Sequence, residues 1–141
     1  MSASGIIPVR ILAHASAGAL LGTRCYHEVA KQTDARPYCI YGTTDGEPSL
    51  HLGGHGGLMR ESSQVDVYAD DQGSLRIFRQ ILLAQLHGFR GSVTVDSDTY
   101  EIRSCFVHNI RESALAPIPG KSKPIFSLTA ELEIWSALVI T

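Results

Sequence analysis

Apolar and polar side chains alternate from Pro124 to Leu138, in the sequence PIFSLTAELEIWSAL. One side of this stretch is apolar and consists of Phe126, Leu128, Ala130, Leu132 and Ile134. The other side carries Ser127, Thr129, Glu131, Glu133 and Trp135. A period of two is typical of a strand that is buried on one face, and it excludes a helix. A strand this long predicts an antiparallel sheet that packs on one side and faces water or a partner on the other.

Earlier segments also have strand character. Thr23–Val29 predicts a short extended piece, and longer strands are predicted at Pro37–Thr44, Arg60–Ala69, Gly91–Val95 and Thr99–Ile110. The last two of these form a predicted hairpin across a polar turn. One face of the second hairpin strand is predicted to consist of Tyr100, Ile102, Phe106 and Ile110.

Two segments predict helices. Pro8–Leu21 has an apolar stripe at helical spacing and ends before a glycine, which suits a C-cap. A second helix is predicted to begin after Asp70 and Asp71, because acidic residues favour a helix N-terminus, and to run to about His87.

These elements together predict an α+β fold. Strands joined through hairpins form an antiparallel sheet, and the two helices are available to cover one face of it. This indicates a two-layer sandwich of mainly antiparallel β-sheet with two α-helices packed on one face. A length of 141 residues is enough for one hydrophobic core, so residues 1–141 are expected to form a single domain.

The glycine-rich segment Leu52–Leu58, LGGHGGL, raises the question of a phosphate-binding loop. Such a loop runs from a strand into a helix N-terminus, and a Walker loop also needs Lys followed by Ser or Thr. This segment leads into another strand instead. It is therefore predicted to be a loop or the tip of a hairpin.

Charge and composition exclude several classes of protein. The net charge of −2, without a cluster of Lys and Arg, argues against a free-standing nucleic-acid binder. The apolar N-terminus lacks a basic region and is interrupted by Arg10 and His14, so we expect a soluble protein that stays in the cytoplasm where it is made. Cys25, Cys39 and Cys105 are odd in number and far apart, and they are expected to be buried reduced thiols.

The histidines supply the strongest candidate for metal chemistry. His51 and His55, with His27 as a third ligand, leave open a small metal-binding protein or enzyme. The four-residue spacing converges on a metal when it lies on a helix, and the glycines between the two argue against a helix. No nucleophile motif surrounds any serine or cysteine. We therefore expect no enzyme activity, no cofactor and no metal.

The polar side of the last strand is the stronger candidate site. Trp135, the single tryptophan, lies there with Glu131 and Glu133, and Tyr68 has a similar position on its own strand. Large aromatic side chains on a polar face are enriched at protein interfaces. The alternative is that a helix or the N-terminal segment covers this face within the monomer. A second contact region is predicted in the arm Ala114–Lys123, which contains Pro117, Pro119, Lys121 and Lys123.

Several local sequences resemble one known family. They are LLGTRCY after the first helix, RPYCIYG, QVDVYADD leading directly into SLRIFRQILLAQLHGF, and the final pair TYEIRSCFVHNIRE and FSLTAELEIWS. In these strings and in the order of its elements, nearly the whole chain resembles the tail-completion or tail-terminator proteins of long-tailed bacteriophages. The VDVYA-to-helix junction is the most specific match. The GGHGG segment departs from the family pattern.

The resemblance implies a structural virion protein. Family members form a ring, commonly of six subunits, at the neck between head and tail, where the ring ends polymerisation of the tail tube and joins the tail to the head connector. The implied partners are other copies of the chain, the tail tube protein and the connector or stopper protein. DNA is passing cargo, no membrane is involved, and the implied location is the virion after assembly in the host cytoplasm. A head-tail adaptor or stopper ring is the alternative within this class.

Overall fold

We analysed the fold in a computed structural model, which describes residues 5–22, 24–27, 37–51, 54–95, 97–115 and 125–139. Within these ranges the chain forms three helices and six strands. The helices are α1 (Ile6–Leu12), α2 (Ala15–Leu21) and α3 (Gln72–Gln85). The strands are β1 (Cys25–His27), β2 (Tyr38–His51), β3 (Gly54–Ala69), β4 (Gly91–Val95), β5 (Asp98–Leu115) and β6 (Ile125–Val139).

The strands form one sheet in the order β1-β2-β3-β6-β5-β4. β1 pairs with β2 in parallel, and all other neighbouring strands are antiparallel. β6 lies near the middle, and its pairing with β3 runs from Met59–Ser136 to Ala69–Phe126 without a register shift. The mixed α+β class and the mainly antiparallel sheet are confirmed.

One face of the sheet and the three helices share a hydrophobic core. The fully buried large side chains of the helices are Ile6, Ile7, Ile11, Leu21, Leu75, Phe78, Ile81 and Leu82. The sheet adds Val65, Val67, Leu128, Leu132 and Ile134. Burying each such side chain contributes about 1.5–3 kcal/mol, so the alternation in β3 and β6 is sufficient to select which face meets the helices.

The predicted N-terminal helix is two helices, so the expected count of two for the whole chain is wrong. α1 also begins two residues earlier than predicted, with Pro8 in its first turn, where a missing N–H is tolerated. The chain leaves the helical conformation at His14, which has a ψ of 131°. There the Nδ1 atom of His14 accepts a hydrogen bond from the Ser16 N–H at 3.2 Å and caps α2. This side-chain cap competes with a continuous helix.

The described residues of the glycine-rich segment, 54–58, belong to β3 at the end of the β2–β3 hairpin, which agrees with the hairpin alternative and not with a loop. β2 and β3 remain paired out to His51–Gly54, so the strands on both sides are longer than their apolar patterns indicated. β5 likewise continues past the predicted end at Ile110 to Leu115, and so includes the first two residues of the predicted arm.

The face assigned to Phe106 is wrong. Tyr100 and Ile102 are buried, whereas Phe106 points to the other side of the sheet and is 48% exposed. The cause is a register shift between Ile102 and Ser104, which leaves Arg103 as an extra residue in β5. A bulge of this kind interrupts the alternation that the prediction relied on.

Of the helices in the described part of the chain, none has the length and apolar character needed to cross a membrane.

Candidate interaction surface

The side of the sheet that faces away from the helices is called the open face here. Its described members in β3 and β6 include Arg60, Ser62, Gln64, Asp66, Tyr68, Ser127, Thr129, Glu131, Glu133 and Trp135. They alternate with the core residues, and most are partly exposed. The helices that are described all pack on the other side. The open face is therefore a broad surface of the described fold that is available to a partner.

Three tyrosines form a row across one end of the open face, called the tyrosine row below. The ring centroids of Tyr26 and Tyr38 are 6.2 Å apart, and those of Tyr38 and Tyr68 are 5.4 Å apart. These separations fall in the favourable range for tilted aromatic pairs. The row exists because β1, β2 and β3 are neighbours and because Tyr38 pairs directly with Tyr68.

A polar network joins the tyrosine row to the middle of the sheet. Asp66 accepts hydrogen bonds from the Thr129 hydroxyl at 2.6 Å and from the Gln64 amide at 3.0 Å. Burial, followed by the negative charge of Asp66, raises the pKa of the Tyr68 hydroxyl. Tyr68 therefore stays neutral at physiological pH and offers a ring and a hydroxyl to a partner.

Trp135 lies on the open face, as its position in the alternation predicted. Its indole N–H donates a hydrogen bond to Glu133 Oε1 at 2.7 Å. Arg60 of β3 and Ser104 of β5 are its neighbours across the strands. The side chain is only partly buried, which suits an anchor that becomes fully buried on association.

Glu131 is the centre of a charged group on β5 and β6. It accepts a hydrogen bond from the Asn109 amide at 2.9 Å and lies 3.8 Å from both His108 Nδ1 and Arg111 Nη2. The ion pair between Arg111 and Glu131 is exposed and contributes little stability on its own. The group nevertheless balances the carboxylate charge, so the open face is polar without being strongly acidic.

The structure brings Glu131, Glu133 and Trp135 together on neighbouring positions of β6 and places Tyr68 on the same face, near the other end of β6. The arm residues Pro117, Pro119, Lys121 and Lys123 lie outside the described residues.

Two of the described histidines, His87 and His14, have structural positions. His87 Nδ1 accepts a hydrogen bond from the Val107 N–H at 3.1 Å, and His14 caps α2. Among the described residues, no group of three or more His, Cys, Asp and Glu side chains could hold a metal ion. The side chains of His51 and His55 lie outside the described part of the chain.

Sequence reasoning missed Tyr26 and Tyr38 as members of the same surface as Tyr68. The alternation of PYCIYG does separate Tyr38 from Cys39. What the pattern could not supply was the strand order, which places β1 and β2 beside β3.

Comparison with known proteins gives a likeness of fold. A chain in the structure of the virion of a native gene transfer agent (GTA) particle has a similar fold, with a TM-score of 0.61 and 15% sequence identity. The likeness covers 94% of this chain and 92% of that chain. No protein-family model matches the chain, and no curated protein matches it.

Proposed function

We propose that this chain is a structural protein of a phage-like virion and has no enzymatic role. The observation that carries the proposal is the shared fold with a chain of a gene transfer agent virion over nearly the full length of both chains. A fold likeness at 15% identity leaves the function to be argued from the surface. The main feature of that surface is a broad sheet face with aromatic side chains.

Within this class we propose a tail terminator. The sequence features that resemble terminators include a strand that runs directly into a helix, and in the structure only Asp70 and Asp71 separate β3 from α3. In this role the chain forms a ring of six at the junction of head and tail. One side of the ring contacts the tail tube protein, and the other contacts the connector or stopper protein.

The open face suits a contact between copies. A closed ring needs two different surfaces on each subunit, one of which receives the other from its neighbour. We assign one of these surfaces to the open face with Tyr68, Glu131, Glu133 and Trp135, and we assign a second contact to the arm with Pro117, Pro119, Lys121 and Lys123. A net charge of −2 suits a conduit through which DNA slides without being held. The proposed location is the neck of the virion, after assembly in the host cytoplasm.

Electron microscopy of particles produced without this chain tests the proposal. A terminator predicts overlong or unattached tails beside DNA-filled heads, because nothing stops the tube or joins it to the head. Tails of normal length that fail to attach would favour an adaptor or stopper ring. Normal, infectious particles would contradict a role in the neck. Restoring the intact chain from a plasmid is the control.

A further inference from the structure

Two of the three free cysteines lie side by side. Cys25 of β1 and Cys39 of β2 are direct partners in the parallel pairing of these strands. The backbone N–H of Cys39 donates to the Arg24 carbonyl at 3.0 Å, which fixes the register next to this pair. Cys105 lies on β5, with β3 and β6 between that strand and β2.

Both side chains point to the core side of the sheet. Cys39 is fully buried, and Cys25 is partly buried against the same hydrophobic cluster. The neighbouring Cys25 thiol, ahead of burial, raises the pKa of the Cys39 thiol. The two side chains are therefore neighbours on the same side of the sheet, without any change in the pairing of the strands.

The spacing of paired strands is compatible with a disulfide. Neighbouring strands lie about 4.7–4.9 Å apart, and disulfides accept Cα separations of about 4.4–6.8 Å. Cys25 is the accessible member of the pair, so it meets a reagent in solution first. Cys39 is shielded but is the direct partner of Cys25 in the strand pairing.

We propose that Cys25 and Cys39 form a redox modification site that closes to an intramolecular disulfide when the chain meets a small oxidised disulfide such as oxidised glutathione. The Cys25 thiolate attacks one sulfur of that disulfide and displaces one glutathione thiolate. The Cys39 thiol then loses its proton as its sulfur attacks the Cys25 sulfur of the mixed disulfide and displaces the second glutathione thiolate. Two protein thiols are oxidised, one glutathione disulfide is reduced to two thiols, and the two protons from the cysteines end on glutathione.

The disulfide would join the edge strand β1 covalently to β2. β1 has three residues and joins the sheet through β2 alone, and an edge strand this short is held by few hydrogen bonds. A bond between Cys25 and Cys39 closes a short loop and removes conformations from the unfolded chain. In a reducing cytoplasm β1 is therefore held to β2 without a covalent bond, and in an oxidising medium the disulfide also holds it. This inference does not depend on the proposed role in a virion.

The test uses the full-length reduced chain, incubated with oxidised glutathione in mildly alkaline buffer and followed by intact mass and peptide mapping. We expect the loss of two hydrogen atoms, with Cys25 linked to Cys39, and a rise in Tm of roughly 5–10 °C. Cys105→Ala is the matched control and should give the same product. Cys39→Ala should instead retain one glutathione on Cys25, because the resolving thiol is gone.

Three results would overturn the inference. They are a disulfide that includes Cys105, a wild-type chain that retains glutathione on Cys25 without closing the bond, and a product that consists of linked pairs of chains. Because Cys39→Ala and Cys105→Ala each remove one buried sulfur, a folding defect common to both is recognised by circular dichroism. In that case the wild-type mass and peptide map alone decide.

Discussion

Cys105 shows how far burial changes a single side chain. It is fully buried in β5, and burial raises the pKa of its thiol to about 12, although the nearby Arg10 lowers it in part. The sequence predicted buried reduced thiols, and this is confirmed for Cys39 and Cys105, whereas Cys25 is only partly buried. The difference among the three is set by strand position, because β1 is the edge of the sheet.

The pKa of Cys105 predicts a loss of stability at alkaline pH. Above the ordinary thiol pKa of 9.0 the unfolded chain has released a proton that the folded chain still holds, so the free energy of unfolding falls until about pH 12. Cys105→Ala should make the free energy of unfolding fall less steeply with pH in this range, by up to about 1.4 kcal/mol per pH unit. Urea denaturation at neutral pH and at several values above 9 measures it.

Val107→Ala is a suitable control for this experiment. Val107 is buried two positions further along β5. Its truncation should lower the free energy of unfolding by a similar amount at every pH. Tyr68, Tyr100 and Cys39 also have raised pKa values, so the slope should persist in part in both variants. If the free energy of unfolding changed with pH in the same way in wild type and in Cys105→Ala, the Cys105 thiol would not contribute to the loss of stability at alkaline pH.

Strands β6 and β5 show where sequence reasoning succeeds and fails at the level of elements. β6 pairs with β3 without interruption, so its alternation correctly assigned both faces, including Trp135. β5 has two register shifts, between Ile102 and Ser104 and between His108 and Arg111, and residue spacing alone cannot reveal an extra residue. Local alternation therefore predicted which residues of β6 lie on the open face. Predicting the tyrosine row would also have required the order of the strands in the sheet.

The second shift in β5 gives a prediction for Asn109. This residue has a φ of +50°, a region that asparagine tolerates and β-branched residues avoid. Asn109→Val should lower the free energy of unfolding by about 1–2 kcal/mol, since it adds backbone strain. Asn109→Gly keeps the favourable backbone and loses the hydrogen bond to Glu131, so its cost should be about 0.5–1 kcal/mol. Urea denaturation gives both values.

His108→Val is the matched control for Asn109→Val. It places the same side chain on the neighbouring exposed position, which has ordinary strand geometry. We expect a change within about 0.5 kcal/mol. Equal losses at the two positions would mean that the positive φ of Asn109 stores no strain.

The molecule as a whole has two unlike sides. Helices cover one face of the sheet, and the open face carries the tyrosine row, the Glu131 group and Trp135. Two unlike faces could supply the two different surfaces that a closed ring requires of each subunit.

Trp135 offers a direct measurement of such assembly. It is the single tryptophan in the chain, so its fluorescence reports on the open face alone. If that face is buried between copies, emission should shift to shorter wavelength and acrylamide quenching should weaken as protein concentration rises. Tyr68→Ala should raise the concentration at half-assembly roughly tenfold or more, as truncation of an interfacial anchor does.

Ile77→Ala provides the comparison on the opposite side. Ile77 is 38% exposed on α3, away from the open face, and its truncation should leave the concentration at half-assembly unchanged. Sedimentation velocity reports assembly independently of fluorescence. Oligomers with an unchanged Trp135 spectrum would place the contact elsewhere on the molecule.

The extra residue in β5 also predicts which single-residue deletions the protein can tolerate. Removing Arg103 would bring Ile102 and Ser104 into regular alternation, because Ser104 already pairs with Trp135 on the open face, and would cost an exposed ion pair with Glu101. Removing Val107 would instead turn His108 towards the core. In a library of single-codon deletions, survivors within β5 should therefore cluster at its bulges, and natural variation in the length of this strand should be found there.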